Sequence, residues 1–454
     1  MEKIHTTLSC FGEDLPVEMP EIIIDQQANV TRALLAGLSD EALLSYPAMT
    51  IPSKIMAMEL FSKQFLNYTF SGDRDAMPIV PLKMVQTSLM HGMSPLAGVG
   101  FALYGNYLSM VRGENQEGYR YVKLALALSK RMPSAAQDSE IMFYAAHTKL
   151  RIEPMQSSME YYSETYKAAM AAGAARNAFA CSSMYDFCSF YSGKNLDLVI
   201  SSMNVTMKQM IFYKNFVVLG LLKPFYRISL RLTGQTDVNQ RSGLTNVFGE
   251  SYNEEEASSK LPMVVVSTYV ANMCEGVFYQ DFERARDSIQ KYISIQSVTA
   301  ANMSNPLEFF RTFYAGLASL WVSRELGDKG LLKRGAECVD AIETLAVTAS
   351  EWNFQNKLYL LQAEKQFCER NFDEAETLYD AAILSAKTHK FANEEALANE
   401  LAGRFYLETG RRNKARHYYS QAFEKYNEWG AVAKAASLTQ YFDGNSSGTV
   451  RATR

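Results

Sequence analysis

The sequence predicts an all-α fold in which antiparallel helix pairs stack into a helical-repeat solenoid. The 454-residue chain has only 12 prolines but 22 methionines and 26 tyrosines, a composition that favours helices packed on helices. Apolar residues recur at helical spacing in several stretches, such as residues 55–65, 121–128 and 278–292. The sequence shows no run of alternating apolar and polar residues that would predict strands and hairpins. A generic helical bundle is the alternative architecture.

The clearest repeat lies near the C-terminus. Gly403 is the small residue of a first helix, and Gly410 ends that helix. On the following helix, Ala415 and Ala422 flank Tyr419. Small side chains at this spacing let two helix backbones approach closely, and the aromatic ring fills the gap beside them. This small–aromatic–small pattern is typical of a TPR unit, a helix–turn–helix of about 34 residues, and it predicts a TPR-like helical-repeat solenoid.

The preceding unit repeats this pattern with a longer interval. It places Ala363 on a first helix, Ala375 at the turn and Tyr379 on the second helix. Ala375 and Ala415 are 40 residues apart, which exceeds the length of a strict TPR unit of about 34 residues. We therefore predict an extended turn across residues 387–393.

Polar stretches divide the chain into predicted segments. Residues 233–260 contain several glycines, Asn239 and three consecutive glutamates, and they are typical of a loop between two arrays. The predicted segments are a flexible N-terminal segment (1–25), an N-terminal helical array (26–232), a polar loop (233–260), a C-terminal TPR-like array (261–442) and a disordered tail (443–454).

Composition excludes several classes of protein. A net charge of −4 and the lack of a basic stripe argue against a nucleic-acid partner. The six cysteines form no CxxC pair and predict buried, reduced thiols in a reducing compartment. The N-terminus lacks the apolar run of a signal peptide. These features predict a soluble, cytoplasmic protein.

One uncharged stretch, residues 94–111, has the minimum length of a membrane span. Its glycines, together with Asn106 and Ser109, make it poorly lipophilic. We predict a helix buried on all sides within the array, and no membrane partner.

The sequence contains no recognisable catalytic or cofactor motif. It has no phosphate-binding P-loop, no dinucleotide-binding glycine pattern, no nucleophile elbow and no HExxH pair. The five histidines are dispersed, and His417 is predicted to be a solvated surface residue. We therefore predict no cofactor, no metal site and no enzymatic activity.

Candidate partner-binding residues lie on the last two predicted units. Stacked helix pairs leave an extended concave surface on which a peptide or domain could bind. Polar side chains of the first helices are predicted to be exposed, but their spacing does not decide on which face. The basic run that begins at Arg411 could contact an acidic partner, or it could satisfy carbonyl groups at a helix end. The predicted partner-binding residues are Lys357, Glu364, Asn399, Arg404, Glu408, Arg411 and Arg412.

Three C-terminal segments resemble one family of signalling proteins. They are EALANELAGRFYLETGR (395–411), ARHYY (415–419) and YNEWGAVAK (426–434). They resemble the TPR-like helical region of multidomain ATPase/sensor histidine kinases. In that family a serine/threonine-kinase-like domain and an AAA-type ATPase precede the helical region, and GAF and histidine-kinase modules follow it. Looser matches near the N-terminus extend the resemblance over residues 22–442.

The resemblance carries no catalytic residue into this chain. The ATP-binding loop, kinase motifs and phosphoacceptor histidine of the family have no matching positions here. It implies a non-catalytic protein–protein interaction scaffold, the regulatory or sensor helical region of a signal-transduction ATPase/histidine kinase. The implied partners are proteins, such as kinase or ATPase domains. A structural spacer between catalytic domains and an unrecognised helical enzyme are the alternatives.

Overall fold

The computed structural model describes residues 2–16, 20–71, 73, 75–235, 262–295 and 306–441. Within these ranges the chain forms 21 α-helices and one 3-10 helix, and no strand. The all-α prediction is confirmed. The chain divides into two compact units, the first comprising Met1–Cys181 and Ala301–Pro306, the second Ser182–Ala300 and Leu307–Arg454.

The first unit contains the helices up to the middle of α10. They are α1 (Glu2–Cys10), α2 (Glu21–Leu35), α3 (Asp40–Leu44), α4 (Pro52–Ser71), α5 (Ile79–His91), α6 (Pro95–Met110), α7 (Asn115–Arg131), α8 (Ala135–Ile152), α9 (Met155–Ala171) and α10 (Ala175–Tyr191). The N-terminal segment that was predicted to be flexible thus contains α1 and the beginning of α2.

The second unit contains the end of α10 and all later elements. They are α11 (Leu196–Phe212), α12 (Phe216–Thr233), α13 (Pro262–Tyr279), α14 (Phe282–Ser294), α15 (Glu308–Leu326), α16 (Lys329–Thr348), α17 (Glu351–Cys368), α18 (Phe372–Thr388), α19 (Ala392–Glu408), α20 (Arg412–Trp429), α21 (Val432–Ala436) and a 3-10 helix (Thr439–Tyr441). The division into units falls after Cys181 and not within the predicted loop 233–260. Most of that loop, and the predicted tail 443–454, lie outside the described residues.

The core of the first unit is built around α6. All its residues from Leu96 to Met110 are buried, which confirms the prediction of a helix buried on all sides. Its backbone touches that of α7, because a Cβ added at Gly105 would lie 2.6 Å from the Gly118 carbonyl oxygen. Only glycine permits such an approach. Among the described helices, none combines the length and apolarity needed to cross a bilayer.

Short turns of one geometry follow helices α17 to α20. Arg370, Lys390, Gly410 and Gly430 have positive φ angles and recur at intervals of 20 residues. After each of them the next backbone N–H donates to a carbonyl five residues earlier, as from Arg411 to Tyr406 (2.8 Å). This bond is the Schellman closure of a helix C-terminus.

The predicted extended turn across 387–393 is wrong. Helix α18 ends at Thr388 and α19 begins at Ala392, so this turn is as short as its neighbours. The extra residues lie in the helices, since α18 and α19 have 17 residues each and α20 has 18. A 40-residue pair is therefore a pair of long helices.

Helices α19 and α20 form the hairpin that the repeat pattern marked. A Cβ added at Gly403 would lie 3.1 Å from the Tyr419 ring. Ala415, Tyr419 and Ala422 are all buried against the partner helix. The close approach predicted for Gly403 is confirmed.

Candidate functional site

The polar residues on the first helices of the last units form buried ion pairs. Lys357 on α17 donates to the Glu394 carboxylate of α19 (Nζ to Oε2, 2.8 Å), and the two side chains are 0% and 2% exposed. Lys357 also donates to the Asn353 carbonyl oxygen, at 2.9 Å. Burial lowers the pKa of Lys357 and raises the pKa of Glu394. The pair joins two hairpins through the protein interior.

A second buried cluster centres on Glu364 of α17. Its carboxylate accepts from Arg324 Nη1 (2.7 Å) and from the Tyr379 hydroxyl (2.7 Å). Arg404 Nη2 approaches it to 3.5 Å. Although burial raises the pKa of Glu364, the guanidinium groups of Arg324 and Arg404 outweigh it and hold the pKa below its ordinary value. Helices α15, α17 and α19 thus share one charge cluster.

A third cluster anchors the C-terminal helices. The Glu400 carboxylate accepts from Lys434 Nζ (2.6 Å) and the Tyr426 hydroxyl (2.7 Å). Gln280, at the end of α13, donates to the same carboxylate at 2.9 Å. Nearby, Asn399 is buried and donates to the Glu395 carbonyl oxygen of its own helix.

Four predicted partner-binding residues are therefore not at the surface. Helix α19 is buried at every position from Asn393 to Tyr406, and α17 is covered in the same way along most of its length. Polar side chains at helical spacing look alike in sequence whether they face water or an adjacent helix. The predicted exposure is wrong for Lys357, Glu364, Asn399 and Arg404.

The other predicted residues lie at one edge of the second unit. There the turns α15–α16, α17–α18 and α19–α20 surround a cavity of about 760 Å³, the turn-edge cavity. Glu408 and Arg411 line it, and Arg412 is exposed at the first position of α20. The residues that contribute its charge and apolar floor are Arg324, Asp328, Lys329, Phe367, Arg370, Phe372, Asp373, Glu408 and Arg411.

Arg411 is held in place by its neighbours. Its guanidinium pairs with the Glu376 carboxylate of α18. It also lies over two rings, 4.9 Å from the Phe405 centroid and 4.6 Å from that of Tyr406. Cation–π contact and pairing together fix the side chain. One wall of the turn-edge cavity is thus rigid.

Glu408 forms the mouth of the cavity, where its side chain is 40% exposed. Its carboxylate lies 3.5 Å from Arg404 Nε and 3.8 Å from Arg324 Nε. Partial burial raises the pKa of Glu408. The carboxylate therefore shields two buried guanidinium groups from water.

Two cations of this cavity were not found from the sequence. Lys329 and Arg370 are exposed, and within the described part of the chain neither makes an ion pair or side-chain hydrogen bond. They lie 41 residues apart and come together only because every second turn lies at the same edge. The sequence signal for their meeting was this separation, which is close to the length of one helix pair.

The cavity offers little for nucleophilic or metal chemistry. Cys368 lines it, but its thiol contacts the Leu320 carbonyl oxygen at 3.1 Å, and burial raises its pKa to about 12. The thiol is therefore protonated at neutral pH. Within the described ranges, no three His, Cys, Asp or Glu side chains are placed to hold a metal ion. His417 is exposed, as predicted.

Comparison with protein-family models and with curated proteins gave no match for this chain. The resemblance of residues 22–442 to the helical region of ATPase/sensor histidine kinases stays a prediction from the sequence. The charges and shape of the turn-edge cavity are the remaining guide to function.

Proposed function

We propose that this chain is a TPR-like solenoid that acts as a non-catalytic protein–protein interaction scaffold. Its setting would be the regulatory or sensor helical region of a signal-transduction ATPase/histidine kinase, and its partners would be kinase or ATPase domains. The observation that carries the proposal is the turn-edge cavity, an open site lined by three interhelical turns at one edge of the second unit.

The internal contacts of the second unit favour binding at this edge over binding on the first helices. The polar side chains of the first helices are buried and paired within the Lys357–Glu394 and Glu364 clusters. At the edge, by contrast, Lys329, Arg370 and Arg412 are exposed. A protein partner gains affinity where a rigid wall and adaptable exposed side chains lie together.

Site-specific photo-crosslinking in the full chain tests the proposal. Benzoylphenylalanine replaces Lys329 at the cavity rim in one variant and Arg416, on an exposed face of α20 away from the cavity, in the control. After irradiation in lysate of the source cells, a protein crosslinked from position 329 and not from position 416 is identified. It is then purified and its affinity for the chain is measured directly.

The proposal expects a kinase, ATPase or response-regulator protein that also binds the purified chain. Equal, non-specific crosslinking from both positions would overturn it and favour the structural spacer, which needs no binding site. A small-molecule substrate turned over by the purified chain would favour the helical enzyme.

A further inference from the structure

We propose that the turn-edge cavity recognises an acidic, partly apolar peptide segment of its partner, an inference that rests on the proposed function and specifies its ligand. Four cationic side chains line the cavity, together with three acidic ones, Asp328, Asp373 and Glu408. The ligand's charge follows from which of these groups are already neutralised.

Two of the acids already make contacts within the protein. The Asp328 carboxylate caps α16, accepting from the Gly330 and Leu331 backbone N–H groups at 2.8 and 3.0 Å. Glu408 pairs with Arg404 and Arg324. A capping carboxylate interacts favourably with the positive end of the helix dipole, so both acids have stabilising contacts within the protein, although Asp328 keeps its charge.

The cations are less fully neutralised. Arg411 is paired with Glu376, but Lys329 and Arg370 have no ion-pair partner among the described residues, although Asp328 and Asp373 also line the cavity. Arg324 lies deeper and is already paired with Glu364. An incoming carboxylate would therefore lie between the two exposed rim cations.

Apolar surface lies beside these charges. The Arg324 guanidinium covers the Phe367 ring at 4.1 Å, and the neighbouring Phe372 is 40% exposed. Leu332 completes the apolar part of the lining. A ligand with carboxylates on both sides of an aliphatic residue matches this arrangement of apolar floor and cationic rim.

The dimensions fit an extended peptide. The cavity spans three turns, and packed helices lie about 10 Å apart, which gives a length of about 20 Å. A chain in extended conformation covers that distance with about six residues at about 3.3 Å each. The segment recognised is thus about six residues long.

Fluorescence polarisation tests the inference with a defined probe. The probe is a labelled heptapeptide of alternating glutamate and leucine with blocked ends, and its control replaces each glutamate by glutamine. The site variant is Lys329→Glu/Arg370→Glu, and Lys387→Glu/Arg416→Glu is the matched control, since it makes the same change in charge at exposed positions outside the cavity. Circular dichroism verifies that both variants fold.

We expect the glutamate peptide to bind the wild-type chain at least about tenfold more tightly than the glutamine peptide, a difference of about 1.4 kcal/mol. The site variant should lose this preference and the control variant should keep it. Added salt should weaken binding to the wild-type chain.

Equal affinity of the wild-type chain and the site variant for the acidic peptide would overturn the inference. So would an absence of binding to the wild-type chain. In either case the proposed function survives if a partner is still crosslinked from position 329, and it fails separately if none is. A partner whose affinity is unchanged in Lys329→Glu/Arg370→Glu would show docking at this edge without an acidic anchor.

Discussion

At the scale of residues, buried charges of opposite sign alternate along the first helices of the second unit. Arg324, Glu364 and Arg404 occupy equivalent positions on α15, α17 and α19, each 40 residues from the next. A buried charge is tolerated only when a partner and hydrogen bonds compensate its lost hydration. This alternating set, Arg324, Glu364 and Arg404, is the charge ladder. It constrains which helix can follow which.

The pair Lys357–Glu394 gives the residue-scale prediction. Lys357→Met leaves the Glu394 carboxylate buried without its cation, so we expect the free energy of unfolding to fall by about 3 to 5 kcal/mol. Lys357→Met/Glu394→Leu removes both charges and should recover most of that loss. Urea denaturation of the two variants and the wild-type chain measures the difference.

The same variants separate a structural role from partner binding. Because both side chains are buried away from the turn-edge cavity, affinity for the acidic peptide should not change in the double variant. A stable Lys357→Met chain with weakened peptide binding would contradict this assignment and restore Lys357 as a contact residue.

At the scale of elements, the turn between α11 and α12 depends on Lys214 in the left-handed region, with φ of 56°. A side chain with Cβ is strained there and glycine is not. We expect Lys214→Gly to raise the free energy of unfolding by about 0.5 to 1 kcal/mol. Urea denaturation checks it.

The matched control is Lys208→Gly. Lys208 is exposed in the middle of α11, where glycine destabilises a helix by about 1 kcal/mol. We expect the free energy of unfolding to rise in Lys214→Gly and to fall in Lys208→Gly. A fall in both variants would show that Lys214 bears no strain.

Helices were predictable here because their signals are local. The aromatic and small residues around Gly403 identified one hairpin correctly. The 40-residue spacing of Ala375 and Ala415 was misinterpreted, because it was compared with a strict TPR unit of about 34 residues. The extra residues were then assigned to a turn. The regular turn at Lys390 was not recognised because Lys390 adopts the positive φ that glycine usually supplies at a helix end, and the sequence has no glycine there.

The candidate site was predictable only in part, because sequence signals are local and the site combines residues from separate hairpins. Glu408 and Arg411 belong to a recognisable repeat, and both line the turn-edge cavity. Lys329 and Arg370 join them from two other repeats, and no local pattern reports that meeting. Burial of Arg404 was equally invisible, since its partner Glu364 lies one helix pair away.

At the scale of the whole molecule, distant parts of the sequence meet inside the second unit. Asn393 on α19 donates to the Tyr191 carbonyl oxygen of α10 at 3.1 Å. Trp429 contacts the rings of Phe190 and Phe278, with centroids 5.8 and 5.5 Å apart. Contacts between distant helices therefore add to those between neighbouring hairpins, which are the only contacts of an ideal one-dimensional repeat array.

Trp429→Ala tests this long-range coupling. The side chain is fully buried, so its truncation should cost about 3 to 5 kcal/mol. We expect amide hydrogen exchange to accelerate in residues 182–191 and 270–279 as well as in α19–α21. Faster exchange confined to α19–α21 would instead mean that each hairpin depends only on its neighbours.

The charge ladder also limits how such a chain can change in length over evolution. Repeat proteins commonly grow by duplication of a unit, which succeeds when neighbouring units are interchangeable. Here a duplicated α17–α18 would place two copies of Glu364 on successive first helices, and one of them would face a carboxylate where it needs Arg324 or Arg404. A copy of one hairpin would therefore be incompatible with its own neighbour, whereas a copy of two adjacent hairpins would keep the alternation of charge, so this part of the chain can lengthen only in steps of two hairpins.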